Sequence, residues 1–462
     1  MADATTWVVP GAPLMSGGWR IWYCQPGHAD FRPVDPTVSL GDRAQAISTS
    51  WSLLPPLSGI ERRMGVLYVD LQQPQSGTTY LIDVPEAQQG KPFRWTTIGD
   101  PRVEPVSFLL SSCFWRDNDK DGGFTAAVAD LCKLHTPAFK LLVGDQVYQD
   151  WPSTLLSFRS PLQQYADRYD QYWGDAERRK FFQVCPNYFL ADDHEYWNDF
   201  PERQLHLQRT YTASSRRKYR LAAQTTYEYY QQSCNGAKNG WLSFGIGDVS
   251  FFISDSRSQR DAVGDSPAQF FQNPQWDDLR RWAKALKGPG VLVLGQPLYQ
   301  GLGNWKDHSL SNFPDDYYNL CDLIRTTIES GYDGGTPHDI LMLSGDIHTG
   351  RYCVRSVITT DGRTLDVPEL IASAASRISP ASSDPELAPG RLRAQASSGL
   401  SINWFDRDST RDRWTIDNNI GLVRMSQGRA NKIRFELSVW RMQSFDSAKP
   451  VTELFKEEVE LG

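Results

Sequence analysis

Four stretches of this sequence end an apolar run with residues able to hold a metal. Residues 141–150, LLVGDQVYQD, deliver Asp145 and then Tyr148. Residues 188–195, YFLADDHE, deliver Asp192, Asp193, His194 and Glu195. Residues 340–348, ILMLSGDIH, deliver Asp346 and His348, and residues 106–110 run into Ser111, Ser112 and Cys113. Short continuous apolar runs of this kind read as buried parallel strands. In open α/β sheets, ligands gather outside the carboxyl ends of such strands. Each residue alone has a bland use. A cysteine packs as a small hydrophobe, a tyrosine fills a core, an aspartate turns a chain, and His194 beside two carboxylates makes a surface ion pair. Their coincidence at successive strand ends favours metal chemistry. Cys113 and His348 are soft or borderline donors, whereas Asp145, Asp193 and Asp346 are hard carboxylates. Tyr148 is a phenol, which rarely ligates anything except a strongly acidic ion such as ferric iron. A mixed N/O/S set beside an all-oxygen set suggests two different metals.

The elements that must carry these residues begin after an all-β start. Residues 19–24 (WRIWYC), 65–71 (GVLYVDL) and 78–84 (TTYLIDV) have the aromatic and β-branched content of strands, with Pro and Gly between them. A small β-sandwich domain over residues 1–105 is the expectation, with GDPRVEP at 99–105 as its linker. From residue 106 strands alternate with helices. Helices are expected at 125–134, 273–286 and 317–330, with long helical inserts at 155–173 and 204–230. Strands are expected at 245–255 and 290–295, and residues 369–376 fit either state. Residues 421–462 return to strands that complete the sheet. The alternation predicts a mixed α/β sheet with helices on both faces, in a second domain over residues 106–462.

The chain has 462 residues, 40% hydrophobic and 22% charged, which places it among globular proteins of two or three domains. Its net charge of -7 argues against general nucleic-acid binding. A phosphorylated substrate stays open, because a bound cation inverts the local field. No apolar run of ~18 residues exists, so no transmembrane helix is expected. Residues 1–18 lack a basic and apolar leader and a twin arginine, which makes the cytoplasm the default expectation. The seven scattered cysteines form no C-x-x-C pair and read as buried thiols, Cys113 excepted.

The order S-C, G-D-x-x-Y, D-D-H-E and G-D-x-H over residues 106–376 resembles the alkaline phosphatase D, or PhoD-like, branch of the calcineurin-like metallophosphoesterases. The resemblance implies an α-β-β-α sandwich preceded by a small all-β domain. It implies that Cys113, Asp145, Tyr148 and His348 hold a ferric ion. Asp145 would bridge to a second cation held by Asp193 and Asp346, with calcium expected and manganese, magnesium or zinc as substitutes. Where the wider superfamily has Asn and His, this chain has Asp193 and Asp346, and Gly295 stands where a further His is usual. That leaves an oxygen-rich second site, suited to a hard cation. The implied reaction is hydrolysis of a small phosphate monoester or diester by in-line attack of a metal-bound hydroxide. His194 is implied as proton donor to the leaving oxygen, oriented by Asp192 and Glu195, although Asp192 could instead serve another cation. Asp255, Arg257 and Arg260 resemble the branch's D-x-R-x-x-R segment, so Arg257 is a candidate for binding phosphate. An Asp–Arg pair that only holds a loop is the equal alternative. Two other functions stay in view: a non-catalytic binder of a phosphorylated ligand or partner, and a mononuclear iron redox protein. The oligomeric state is left open.

Overall fold

Val106–Ser111, Phe139–Val143 and Asn187–Leu190 lie side by side as parallel strands. The computed structural model describes residues 6–87, 92–119, 121–151, 159–302, 308–376, 387–442 and 451–462. Beyond Val106–Ser111 the sheet continues antiparallel through Asn419–Gln427, Ile433–Arg441 and Thr452–Leu461, giving six strands. The C-terminal strands therefore lie in this sheet. A second sheet of nine strands holds Val249–Ile253, Gly290–Val293 and Ile340–Ser344 in parallel, with Thr364–Ile371 next to them. The single sheet expected from alternation is thus two sheets within a mixed α/β fold. Continuous apolar runs need cover on both faces, and here each sheet covers one face of the other.

Side-chain alternation along the strands shows how. Phe108, Leu110, Leu141 and Val143 from one sheet and Phe251, Val291, Leu341 and Leu343 from the other share one core. Phe108 stacks on Phe139 at 5.0 Å and meets Phe251 edge-on at 5.6 Å, which locks the sheets face to face. The alternate residues point outward to helices. Leu109, Leu142 and Phe189 pack with Val128 and Leu131 of helix Gly123–His135 and with Phe181. Phe252, Leu292 and Met342 pack with Leu279 of helix Asn273–Lys284 and Leu320 of helix Pro314–Ser330. Residues 369–376 resolve their ambiguity as the end of strand Thr364–Ile371 and the loop after it. Strand 245–255 is a hairpin of Leu242–Ile246 and Val249–Ile253.

The expected inserts are helical. Pro161–Trp173 starts at a Ser160 capping box, and the expected residues 155–158 fall outside the described residues. Ala213–Tyr227 runs on through a π-helical turn, Glu228–Gln232. Such turns are frequent near functional sites.

The N-terminal region is all-β among its described residues, with two four-stranded sheets. Trp19, Ile21, Tyr80, Ile82 and Trp95 form the core between them. The opposite face of the first sheet, with Trp7, Trp22 and Met64, packs into the same core as Trp173, Phe181 and Tyr230. Polar contacts follow: Trp22 Nε1 donates to Tyr229 O at 2.8 Å and Asn187 Nδ2 to Pro10 O at 2.6 Å. Arg62 pairs with Asp170 at 3.0 Å while lying 3.9 Å over the Trp7 ring. A Cβ on Gly11 would sit 2.3 Å from Cys234 O, so the chains touch backbone to backbone here. No described helix is long and apolar enough to cross a membrane.

Candidate metal centre

The carboxyl ends of the parallel strands in both sheets meet at one place. Cys113 follows Val106–Ser111, Asp145 follows Phe139–Val143, Asp192 and Asp193 follow Asn187–Leu190, and Asp346 and His348 follow Ile340–Ser344. Backbone contacts stitch the edges together. Cys113 N–H donates to Gly144 O at 3.3 Å and Phe114 N–H to Asp145 O at 2.9 Å. Across the sheets, Ser112 Oγ accepts from Asp346 N–H at 3.3 Å and donates to Ala372 O at 3.0 Å. Gly345 permits that approach, because a Cβ there would lie 2.6 Å from the Ser112 side chain. Gly144 has φ +90°, and a Cβ on it would lie 2.4 Å from Asp192 Cβ. Cys113, Asp145, Asp346 and His348 all take left-handed backbone conformations, with φ of 56°, 57°, 70° and 53°. Non-glycine residues rarely adopt this region, and such strain concentrates at functional sites.

The donors form a chain of overlapping groups. Cys113, Asp145 and His348 offer ligand atoms within 4.8 Å of one another; so do Asp145, Asp193 and His194, and so do Asp192, Asp193 and Asp346. Asp145 belongs to the first two groups and Asp193 to the last two. All the sequence-derived metal candidates are therefore gathered here. Tyr148 joins them: its ring lies 4.1 Å from that of His194, and among the described residues its buried hydroxyl has no hydrogen-bond partner. Burial pushes the Tyr148 hydroxyl pKa well up, and the nearby Cys113 and Asp145 push it further. Burial likewise raises the Asp145 carboxyl, with Asp193, Asp192 and Glu195 adding to the rise and His194 opposing it. Burial, Asp145 and Asp346 raise the Cys113 thiol in the same way. Buried anions crowded together without a cation are unfavourable, and a cation among them reverses each shift. A phenol, a thiol, carboxylates and an imidazole brought together in this way form a donor set able to hold metal cations.

His194 stands at the mouth, its side chain 13% exposed. Its Nδ1 pairs with Asp150 Oδ1 at 2.7 Å, and Asp150 Oδ2 accepts Asn198 N–H at 2.9 Å. The expectation that Asp192 and Glu195 orient this imidazole is therefore corrected to Asp150. Asp150 lies in the same loop as Asp145 and Tyr148. The signal for it in the sequence is only that it is the next carboxylate along. Burial lowers the His194 pKa, but Asp150, Asp193 and Asp145 outweigh that and raise it overall. Glu195 does different work. It accepts the N–H groups of Asp145, Gln146 and Asp192 at 2.9, 2.7 and 2.9 Å, plus the Gln231 amide at 3.1 Å. Glu195 thus fixes the loops that carry the ligands, and Gln231 of the π-helical turn holds Glu195.

Arg257 is fully buried against Asp192. Its guanidinium is 0% exposed, with Nε on Asp192 Oδ1 at 2.5 Å and an N–H on Phe200 O at 3.2 Å. This is a loop-holding pair, formed with Asp192 from a neighbouring strand end instead of with Asp255. Asp255 caps the N–H groups of Arg257 and Ser258 at 3.1 and 2.8 Å. Gln296, next to the Gly295 position, donates to Asp346 Oδ2 at 3.0 Å and accepts from Arg260 at 2.6 Å. An amide thus occupies the neighbourhood where the wider superfamily has an imidazole.

Residues 108–311 match the model of a family described as PhoD-like phosphatase, which bears out the resemblance read from the motifs. No curated protein matches the chain. Among solved structures, one described as "Structure of PhoD" is similar over 98% of this chain and 90% of its own, with TM-score 0.64 and 14% identity, and so shares the fold. Another, described as "GAP50 the anchor in the inner membrane complex of Plasmodium", is matched over 78% of this chain and 89% of its own, with TM-score 0.41 and 13% identity.

Proposed function

We propose, for a chain that carries the PhoD-like phosphatase pattern over residues 108–311, that the centre hydrolyses phosphate monoesters or diesters with two unlike cations side by side. The observation that carries this is the overlap of the donor groups, with Asp145 shared between a Cys/His set and a set with Asp193 and His194, and Asp193 shared in turn with the carboxylates Asp192 and Asp346. Cys113, Asp145, Tyr148 and His348 would hold ferric iron. Asp193 and Asp346, with Asp145 between, would hold calcium. When bound, the cations neutralise the phosphate's charge and supply an activated water. The chain's own part begins with placement: Glu195 fixes the backbone of Asp145 and Asp192, and Asp192 is fixed in turn by Arg257. Asp150 accepts the Nδ1 proton of His194, which leaves Nε2 to give a proton to the leaving oxygen. The carboxylates around it favour the charged imidazolium, the form that can donate. The same reading takes the two facing sheets and their outer helices as an α-β-β-α sandwich, and residues 1–105 as an appended β-sandwich.

The test is phosphate release from 4-nitrophenyl phosphate and bis(4-nitrophenyl) phosphate by metal-replete protein, before and after chelation. Hydrolysis should vanish on chelation and return with calcium better than with zinc. Full recovery with zinc alone and none with calcium would contradict the oxygen-rich second site. No hydrolysis of either ester by protein with full metal content would leave a binder of phosphorylated ligands.

A further inference from the structure

Between Arg203 and Tyr227 the chain carries five arginines and one lysine and no Asp or Glu, in a protein of net charge -7. The structure brings this bias to one place. Arg216 and Arg220, one turn apart on helix Ala213–Tyr227, line a cavity of about 500 Å³ with Arg217, also of that helix, and Arg260 opposite. Its wall is Trp197 and Phe200, on the segment that follows the Asp193–Glu195 turn of the candidate centre. Arg260 forms a fixed floor, spent on Ser256 O, His308 O and the Gln296 amide that reaches Asp346. The three helical arginines are different. Arg216 donates once, to Thr210 O at 2.7 Å, and Arg220 once, to Ser258 O at 2.9 Å. Among the described residues, no ion pair engages Arg216, Arg217 or Arg220, although most arginines elsewhere face a carboxylate. Asp261 and Asp265 also border the cavity, but each receives a backbone N–H, from Gln269 and Ala262. Four guanidinium groups against two carboxylates leave the cavity positive. Guanidinium forks with spare N–H groups match phosphate oxygens in pairs.

We propose that this cleft is a second anion site, which takes a further phosphate group of the substrate while the first is cleaved at the metal centre. The proposal rests on the phosphoesterase reading and adds to it a substrate class: esters carrying at least two phosphate groups. Trp197 and Phe200 follow the Asp193–Glu195 turn in the chain, and Arg260 reaches Asp346 through Gln296, which ties the two sites into one binding region. Binding energy collected at the distant phosphate then serves the reacting one.

Two measurements on the metal-replete protein test it. The first follows phosphate release from alkyl monophosphates and from α,ω-alkanediol bisphosphates of increasing length. At some length kcat/KM should exceed that of the monophosphate by tenfold or more, and Arg216→Gln combined with Arg220→Gln should remove the preference. Gln is a good helix former, and circular dichroism checks that the fold survives. The second counts inorganic phosphate bound by calorimetry. Wild type should bind two equivalents, the Arg216→Gln/Arg220→Gln variant only the one at the centre, and Asp145→Asn only the one in the cleft. A preference that survives the double substitution, or no preference at any length, overturns the proposal. A single equivalent in wild type with normal monoester turnover overturns the anion site alone. Two equivalents without turnover of any ester overturn the phosphoesterase reading and leave only an anion site.

Discussion

Among the described residues, Tyr148 keeps a buried hydroxyl without a polar partner, and that predicts opposite effects in two states. Without cations, Tyr148→Phe removes an unsatisfied group and should hold or raise thermal stability, by about 1–2 kcal/mol. With iron, it should abolish the visible phenolate-to-iron absorption band. A colourless wild type with full iron occupancy would sink the assignment of Tyr148. Asp150 predicts a second contrast. Because its carboxylate sets the tautomer of His194 at 2.7 Å, Asp150→Asn should lower kcat ~10²-fold, as His194→Ala should, with metal content unchanged. Both losses should shrink for nitrophenyl esters, whose leaving group departs without a proton. If either substitution strips metal instead, His194 is itself a ligand, which its place near Asp145 and Asp193 makes the alternative to test.

At the scale of elements, helix Gly123–His135 begins beside Asp119, whose carboxylate accepts Phe124 N–H at 2.8 Å. Burial pushes the Asp119 carboxyl up from 3.8 to about 6. A folded pKa above the unfolded one favours the protonated form. The stability this gives is complete below about pH 4 and is lost as pH rises through 6. The full difference is on the order of 3 kcal/mol. Asp119→Asn keeps an acceptor and cannot titrate, so its stability relative to wild type should climb between pH 4 and 7 in urea titrations. A flat difference would show that the carboxyl is not shielded. The strands that carry the centre were legible in the sequence because each apolar run stops at a small residue (Ser111, Gly144, Ala191 or Ser344) and then presents its ligands. Partnerships between strand ends were not. The alliance of Arg257 with Asp192 spans 65 residues, and local spacing suggested Asp255. Nor does alternation record neighbours: Asn419–Gln427 pairs with Val106–Ser111 across most of the chain, so two sheets arose where alternation alone suggested one.

For the whole molecule, the N-terminal strands and the strands that hold the ligands share a core through Trp7, Trp22, Trp173 and Tyr230. The protein should therefore unfold in one transition by calorimetry, and removing residues 1–105 should leave an insoluble remainder. Two separated transitions, or a folded and metal-binding remainder, would refute that coupling. The left-handed backbone at Cys113, Asp145, Asp346 and His348 reaches further than the local geometry. These are sites where glycine or asparagine would be locally more comfortable. Random substitution that is selected only for a durable fold will drift toward replacing them, since stability and chemistry pull against each other there. In a library sorted first for thermal survival and then for phosphate release, the two winning populations should part company at these four positions. A lineage freed from its substrate would lose its ligands early and become sturdier as it did so.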